Sequence, residues 1–95
     1  DGKGNVLTHP CLKRIIAIAA EQGWIGSTAD FELGGMQLPE MINGTAHHIF
    51  QAANNGVEGY IGLSSGAAGL ITSFGSAAQI KKYVPPIFAG KWQGT

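Results

Sequence analysis

The chain has 95 residues, with six Lys plus Arg against six Asp plus Glu and a single cysteine, Cys11. The balanced charge leaves no electrostatic footprint for nucleic acid or an anionic membrane, and one cysteine cannot form an internal disulfide. Charged residues make up only 13%, about half the usual share of a soluble domain, although a small domain exposes much of its surface; further protein is therefore expected to cover part of this chain.

The chain opens at Asp1 without an initiator Met or a signal peptide, as if cut from a longer one, and residues 1–6 read as a polar loop. A first helix is expected from Thr8 or His9, with Thr8 as N-cap and Pro10 in the first turn. Cys11, Leu12, Ile15, Ile16, Ile18 and Ala19 share one arc, and Gly23 suits a left-handed C-terminal cap. Cys11 reads as a small apolar residue on that arc, with a reactive thiol as the alternative, and His9 as a solvated or capping residue. Trp24 to Leu38 reads as a structured loop, because its turn residues are interleaved with Trp24, Ile25, Phe31, Leu33, Met36 and Leu38. Its Asp30 and Glu32 are two apart in extended chain, so they read as solvated charges, not paired catalytic carboxylates.

A second helix is expected from Pro39, burying Met41, Ile42, Thr45, Ala46, Ile49, Phe50 and Ala53. His47 and His48 are adjacent and lack the i, i+4 spacing of a helical metal site, so they are assigned to its polar face. Asn54-Asn55-Gly56 should break it, with Asn55 capping a third helix and Glu58 completing a capping box. Glu58 is the only formal charge between Met41 and Ile80.

The third helix, ending at Gly75, organises the rest. At 100° per residue, Gly59, Gly62, Gly66 and Gly69 fall on one stripe. Each glycine costs about 1 kcal/mol against Ala in a helix interior, so the bare stripe must serve something. Close packing of another helix and an elongated apolar ligand would both use it. A transmembrane helix with small-xxx-small spacing is disfavoured by Ser64, Ser65, Thr72, Ser73 and Ser76, because a span wants about 20 predominantly apolar residues. A short fourth helix should start at Ser76, with Gln79 at the capping-box position, and end before Pro85-Pro86. One more turn is expected over Ile87–Ala89, then extended chain from Lys91. The residues alone describe an all-α, four-helix up-and-down-like bundle with no catalytic or metal constellation.

From Gly23 onward the order of signals resembles a known family. G-W-I-G at 23–26, E-L-G-G-M-Q-L-P at 32–39, the charge-poor glycine helix, and F-G-S-A-A-Q-I-K-K-Y-V-P-P-I-F-A-G-K-W-Q-G-T at 74–95 resemble the N-terminal helical domain of acyl-CoA dehydrogenases. The Gly-x-Trp-x-Gly-Thr ending resembles the bacterial branch that includes dehydrogenases of methylthio-propanoyl-CoA. The resemblance implies a helical domain over 1–91, incomplete at its N-terminus, and at 92–95 the start of a connection to a β-domain of a larger α+β flavoenzyme. It implies FAD in the intact parent, an acyl-CoA substrate, electron-transferring flavoprotein as electron acceptor, a homo-oligomer and a cytoplasmic setting. In that family a flavin takes hydride from the β-carbon while a glutamate removes the α-proton, and both belong to later segments. None of Asp1, Glu21, Asp30, Glu32, Glu40 or Glu58 is assigned the base role, and the isolated chain is expected to be inactive. The family's acyl-pocket wall carries over to Gly59, Gly62, Leu63 and Gly66 as substrate-binding positions. The competing expectation is a non-catalytic helical interaction module, and for the isolated chain helix packing remains the favoured use of the stripe.

Overall fold

The computed structural model describes residues 2–95; Asp1, assigned above to the opening loop, lies outside them. The all-α expectation holds: the described residues form three α-helices and two 3₁₀ turns, without a strand. These are α1 (Cys11–Glu21), α2 (Glu40–Phe74) and α3 (Ala77–Phe88), with 3₁₀ turns at Trp24–Gly26 and Phe31–Leu33.

In α1 the buried residues are Leu12, Ile16 and Ala19, one side of the arc read from the sequence; Cys11, Ile15 and Ile18 on its other side are exposed. The helix starts later than expected. Pro10, not Thr8, stands at the N-cap position and supplies no side-chain cap of its own; the Cys11 N–H is met by the neighbouring His9. Gly23 has the left-handed conformation anticipated for it, with φ 80°.

The Trp24–Gly26 turn is the hub of the core. Ile25 is buried among Leu12, Ile16 and Ala19 of α1, Ile61 and Ala68 of α2, and Ile87 of α3. Its carbonyl accepts a 2.6 Å hydrogen bond from Ser65 Oγ, which ties the turn to α2. The following loop folds back on itself, the Met36 and Leu38 N–H groups donating to the Gly26 and Ser27 carbonyls. Ser27 Oγ anchors it to Asn43 at the start of α2, at 2.6 Å. Phe31 departs from the expectation of a packed anchor and stands exposed.

The predicted second and third helices are one 35-residue element bent at Asn54, whose φ of −163° and ψ of 96° are extended rather than helical. Asn54, not Asn55, caps the second half: its Oδ1 accepts from the Val57 N–H at 3.1 Å. That puts Val57 at the third helical position, so Glu58 cannot complete a capping box. The expected apolar face of the first half is largely unburied, with Met41 83% and Ile49 61% exposed.

Ser76 and Gln79 form the anticipated capping box at the start of α3. The helix does not stop at the prolines, however, and runs through Pro85 and Pro86 to Phe88. Each proline removes one helical N–H, which frees the carbonyls of Lys81 and Lys82 four residues earlier. Both lysines lie on the exposed face, where water can serve those groups, while Val84 and Ile87 hold the opposite face in the interior.

Candidate functional site

The second half of α2 carries the glycine stripe, and the structure divides it. A methyl group built on Gly59, Gly66 or Gly69 would meet nothing within 4 Å. Among the described residues no neighbour stands within 4 Å of a Cβ at those three positions, so the space beside them is open. Gly62, Leu63 and Gly66 line a groove of about 520 Å³ with Leu70, and Tyr83 of α3 and Trp92 form its far side. Gly69 faces a separate concavity beside the Trp24–Gly26 turn, together with Ser65, Thr72 and Phe88. Gly59 lines neither.

The segment after α3 closes one side of the groove. The Tyr83 and Trp92 rings lie 5.9 Å apart between centroids. Gly94 passes so close to α2 that a Cβ there would stand 2.5 Å from that of Ala67, and its N–H donates to Ser64 Oγ at 3.5 Å. Among the described residues no Asp, Glu, Lys or Arg lines the groove, so its character is that of an uncharged channel.

A polar cluster sits at the bend of α2. His47 Nδ1 is 2.7 Å from Glu58 Oε1, and Gln51 Nε2 donates to Glu58 Oε2 at 3.2 Å. A carboxylate oxygen only accepts, so His47 Nδ1 carries the hydrogen. Glu58 is 6% exposed. His47, on the polar face with Gln51, is mostly buried too, at 14% side-chain exposure. In a straight helix, eleven residues rise about 16 Å, beyond the reach of two side chains. The bend at Asn54 brings them together. The spacing 47, 51, 58 is a same-face pattern, and it is the signal by which this cluster could have been found in the sequence.

Beside the bend, between α1 and α2, lies an apolar cavity of about 320 Å³ lined by Ile15, Ile18, Trp24, Phe50, Val57 and Ile61. Trp24 and Phe50 meet edge to face at 5.3 Å. Cys11, at its margin, is exposed. His9 Nδ1 lies 2.9 Å from Cys11 Sγ and accepts the Cys11 backbone N–H at 3.3 Å, which gives His9 the capping role read from its position. Glu21, Asp30, Glu32 and Glu40 are exposed. Among the described residues no group of three His, Cys, Asp or Glu side chains could hold a metal ion, and no helix is long and apolar enough to cross a membrane.

Residues 7–91 match the model of a family described as acyl-CoA dehydrogenase, N-terminal domain. Over 75 residues the chain is 31% identical to the 3-methylmercaptopropionyl-CoA dehydrogenase of Ruegeria pomeroyi. That match covers 79% of this chain and 13% of the relative, so the chain spans a small part of that protein's length. No solved structure matches the chain.

Proposed function

This chain belongs to the acyl-CoA dehydrogenase family through its N-terminal domain, and from that premise we propose that it forms one wall of the acyl-chain pocket in a larger FAD-dependent α+β dehydrogenase. The two halves of α2 then count as separate rods of a four-helix, up-and-down-like arrangement. Gly62, Leu63 and Gly66 are the substrate-facing positions in the groove, with Gly59 just before them on the same stripe but outside it, and residues 92–95 lead toward the β-domain. The reaction of the whole protein is the α,β-desaturation of an acyl-CoA thioester, with electron-transferring flavoprotein as acceptor and a homo-oligomeric, cytoplasmic protein as its setting. The thioester in the relative's name is one candidate substrate.

One observation carries this reading. Open, uncharged space lies along Gly62, Leu63 and Gly66, and a Cβ at Gly66 would meet no atom within 4 Å among the described residues. An acyl chain needs apolar contact along its length and no charge. FAD, when bound in such an enzyme, accepts the hydride. The groove offers no cation for a diphosphate, and in this reading the flavin contacts and the proton-abstracting base belong to other segments of the full-length protein. Glu58 is engaged by His47 and Gln51.

The test is Gly66→Leu in the full-length protein that contains this chain. Gly66 is the cleaner position, because a side chain at Gly62 would also meet Glu58. A leucine filling the groove should lower kcat/KM for long acyl-CoAs by about tenfold or more relative to short ones. An unchanged chain-length profile would count against the pocket wall.

A second reading, a non-catalytic helical module that docks a partner, is favoured by the exposure of Met41, Leu70 and Phe74. Flavin absorbance in the purified full-length protein separates the two: a colourless protein supports the module.

A further inference from the structure

Glu58 and Gly62 are two unfavourable choices one helical turn apart. A buried carboxylate carries a desolvation penalty that an apolar residue of similar size would avoid, and a glycine in mid-helix weakens the helix. Their geometry explains both. A Cβ at Gly62 would stand 2.7 Å from Glu58 Oε1, so the absence of a side chain there lets the carboxylate lie against α2. From that position it reaches back across the bend to His47 Nδ1 and Gln51 Nε2. Both partners are on the first half of α2 and Glu58 is on the second. The same side chain thus spans the one point, Asn54, where the helical backbone is interrupted.

We infer that Glu58, held by His47 and Gln51 and seated on Gly62, is a positioning residue that fixes the angle between the halves of α2 and so aims the face that lines the groove. The inference deepens the acyl-pocket reading and rests on it. Its force comes from leverage. Gly66 lies twelve residues beyond Asn54, about 18 Å along the helix. A swing of roughly 10° at the bend moves Gly66 by about 3 Å at that rise per residue, comparable to the width of a hydrocarbon chain. The Val57 N–H bonded to Asn54 Oδ1 spans only three residues and caps the second half without tying it to the first. The side-chain bonds at Glu58 cross the bend and reach seven and eleven residues back.

The test uses the full-length, flavin-loaded protein with Glu58→Ala, His47→Ala, Glu58→Gln and the Gly66→Leu control. Releasing the bend should change the ratio of kcat/KM between long and short acyl-CoAs by about tenfold in Glu58→Ala and His47→Ala. Glu58→Gln keeps an oxygen to accept from His47 and should restore most of the parent ratio. A uniform loss across all chain lengths, or no change, while Gly66→Leu does shift the profile, overturns the inference and leaves the pocket wall standing. A flat profile in every variant, Gly66→Leu included, removes the pocket wall and the inference together. A second measurement needs no substrate. Spin labels are placed by Gly44→Cys and Ser73→Cys, one on each half of α2, in a Cys11→Ser background freed of its other thiols. The label-to-label distance should shift or broaden by several Å when His47 is replaced by Ala. A distribution as narrow and as centred as the parent's overturns the inference, including where Glu58→Ala fails to fold.

Discussion

Gly23 closes α1 at φ 80°, and a methyl group there would stand 2.9 Å from Met36 Sδ. At Gly66, by contrast, the backbone is helical and the space beside it is open. The two glycines should therefore respond to alanine in opposite directions. Gly23→Ala is expected to destabilise by about 1–2 kcal/mol, the strain of a left-handed L-residue, with the Met36 contact adding to it. Gly66→Ala should stabilise by up to about 1 kcal/mol through helix propensity. Thermal unfolding of the two variants checks this: the midpoint falls for the first and holds or rises for the second. A fall of equal size at Gly66 would mean that another part of the full-length protein packs there. The stripe of small residues was legible in the sequence, but its use was not, because angular periodicity places a residue on a face without saying what lies opposite.

At the scale of the element, local chemistry decided the Gly23 and Ser76 boundaries better than the start of α1 or the end of α3. Ser76 and Gln79 were readable as a capping box because every partner lies within four residues. Ser76→Ala should cost about 1 kcal/mol, seen as lower helicity by circular dichroism in a peptide spanning α3. Pro85 and Pro86 misled, because their local preference against helix is outweighed by the burial of Val84 and Ile87 on the opposite face. Pro85→Ala should restore a donor to the Lys81 carbonyl and raise stability, by up to about 3 kcal/mol at a fully helical position. A lower unfolding midpoint in that variant would show that the proline ring makes a contact of its own. In α2, Asn54-Asn55-Gly56 marked the interruption correctly, with an error of one residue in the cap. That single residue moved Glu58 out of a local capping role and into the bond with His47.

For the whole molecule, the accessible surface is 6528 Å², whereas a compact monomer of 9.9 kDa should expose about 5200 Å². The radius of gyration, 13.8 Å, likewise exceeds the roughly 12.4 Å expected for a compact domain of this length. The excess area is more than the ~800 Å² each partner commits to a standard interface. Exposed Met41, Ile49, Leu70 and Phe74, on a chain of zero net charge, add to the drive for association. Prepared alone, the 95-residue chain should self-associate, and size-exclusion chromatography with light scattering reads this directly. A monodisperse monomer at tens of micromolar that binds no hydrophobic dye would contradict it.

By itself the sequence determined the all-α class, the Gly23 and Ser76 caps, the interruption after Ala53 and the membership of residues 7–91 in their family. These depend on periodicity, on bonds between residues a few positions apart, or on the linear order of motifs, all of which are carried along the chain. Only the tertiary structure decided that α3 continues through its prolines, that the face of Met41 and Ile49 is left bare, and that a buried carboxylate bridges the bend of α2. Each of those outcomes turns on which surfaces meet across distances that periodicity does not encode, and there burial and paired hydrogen bonds outweigh local propensity.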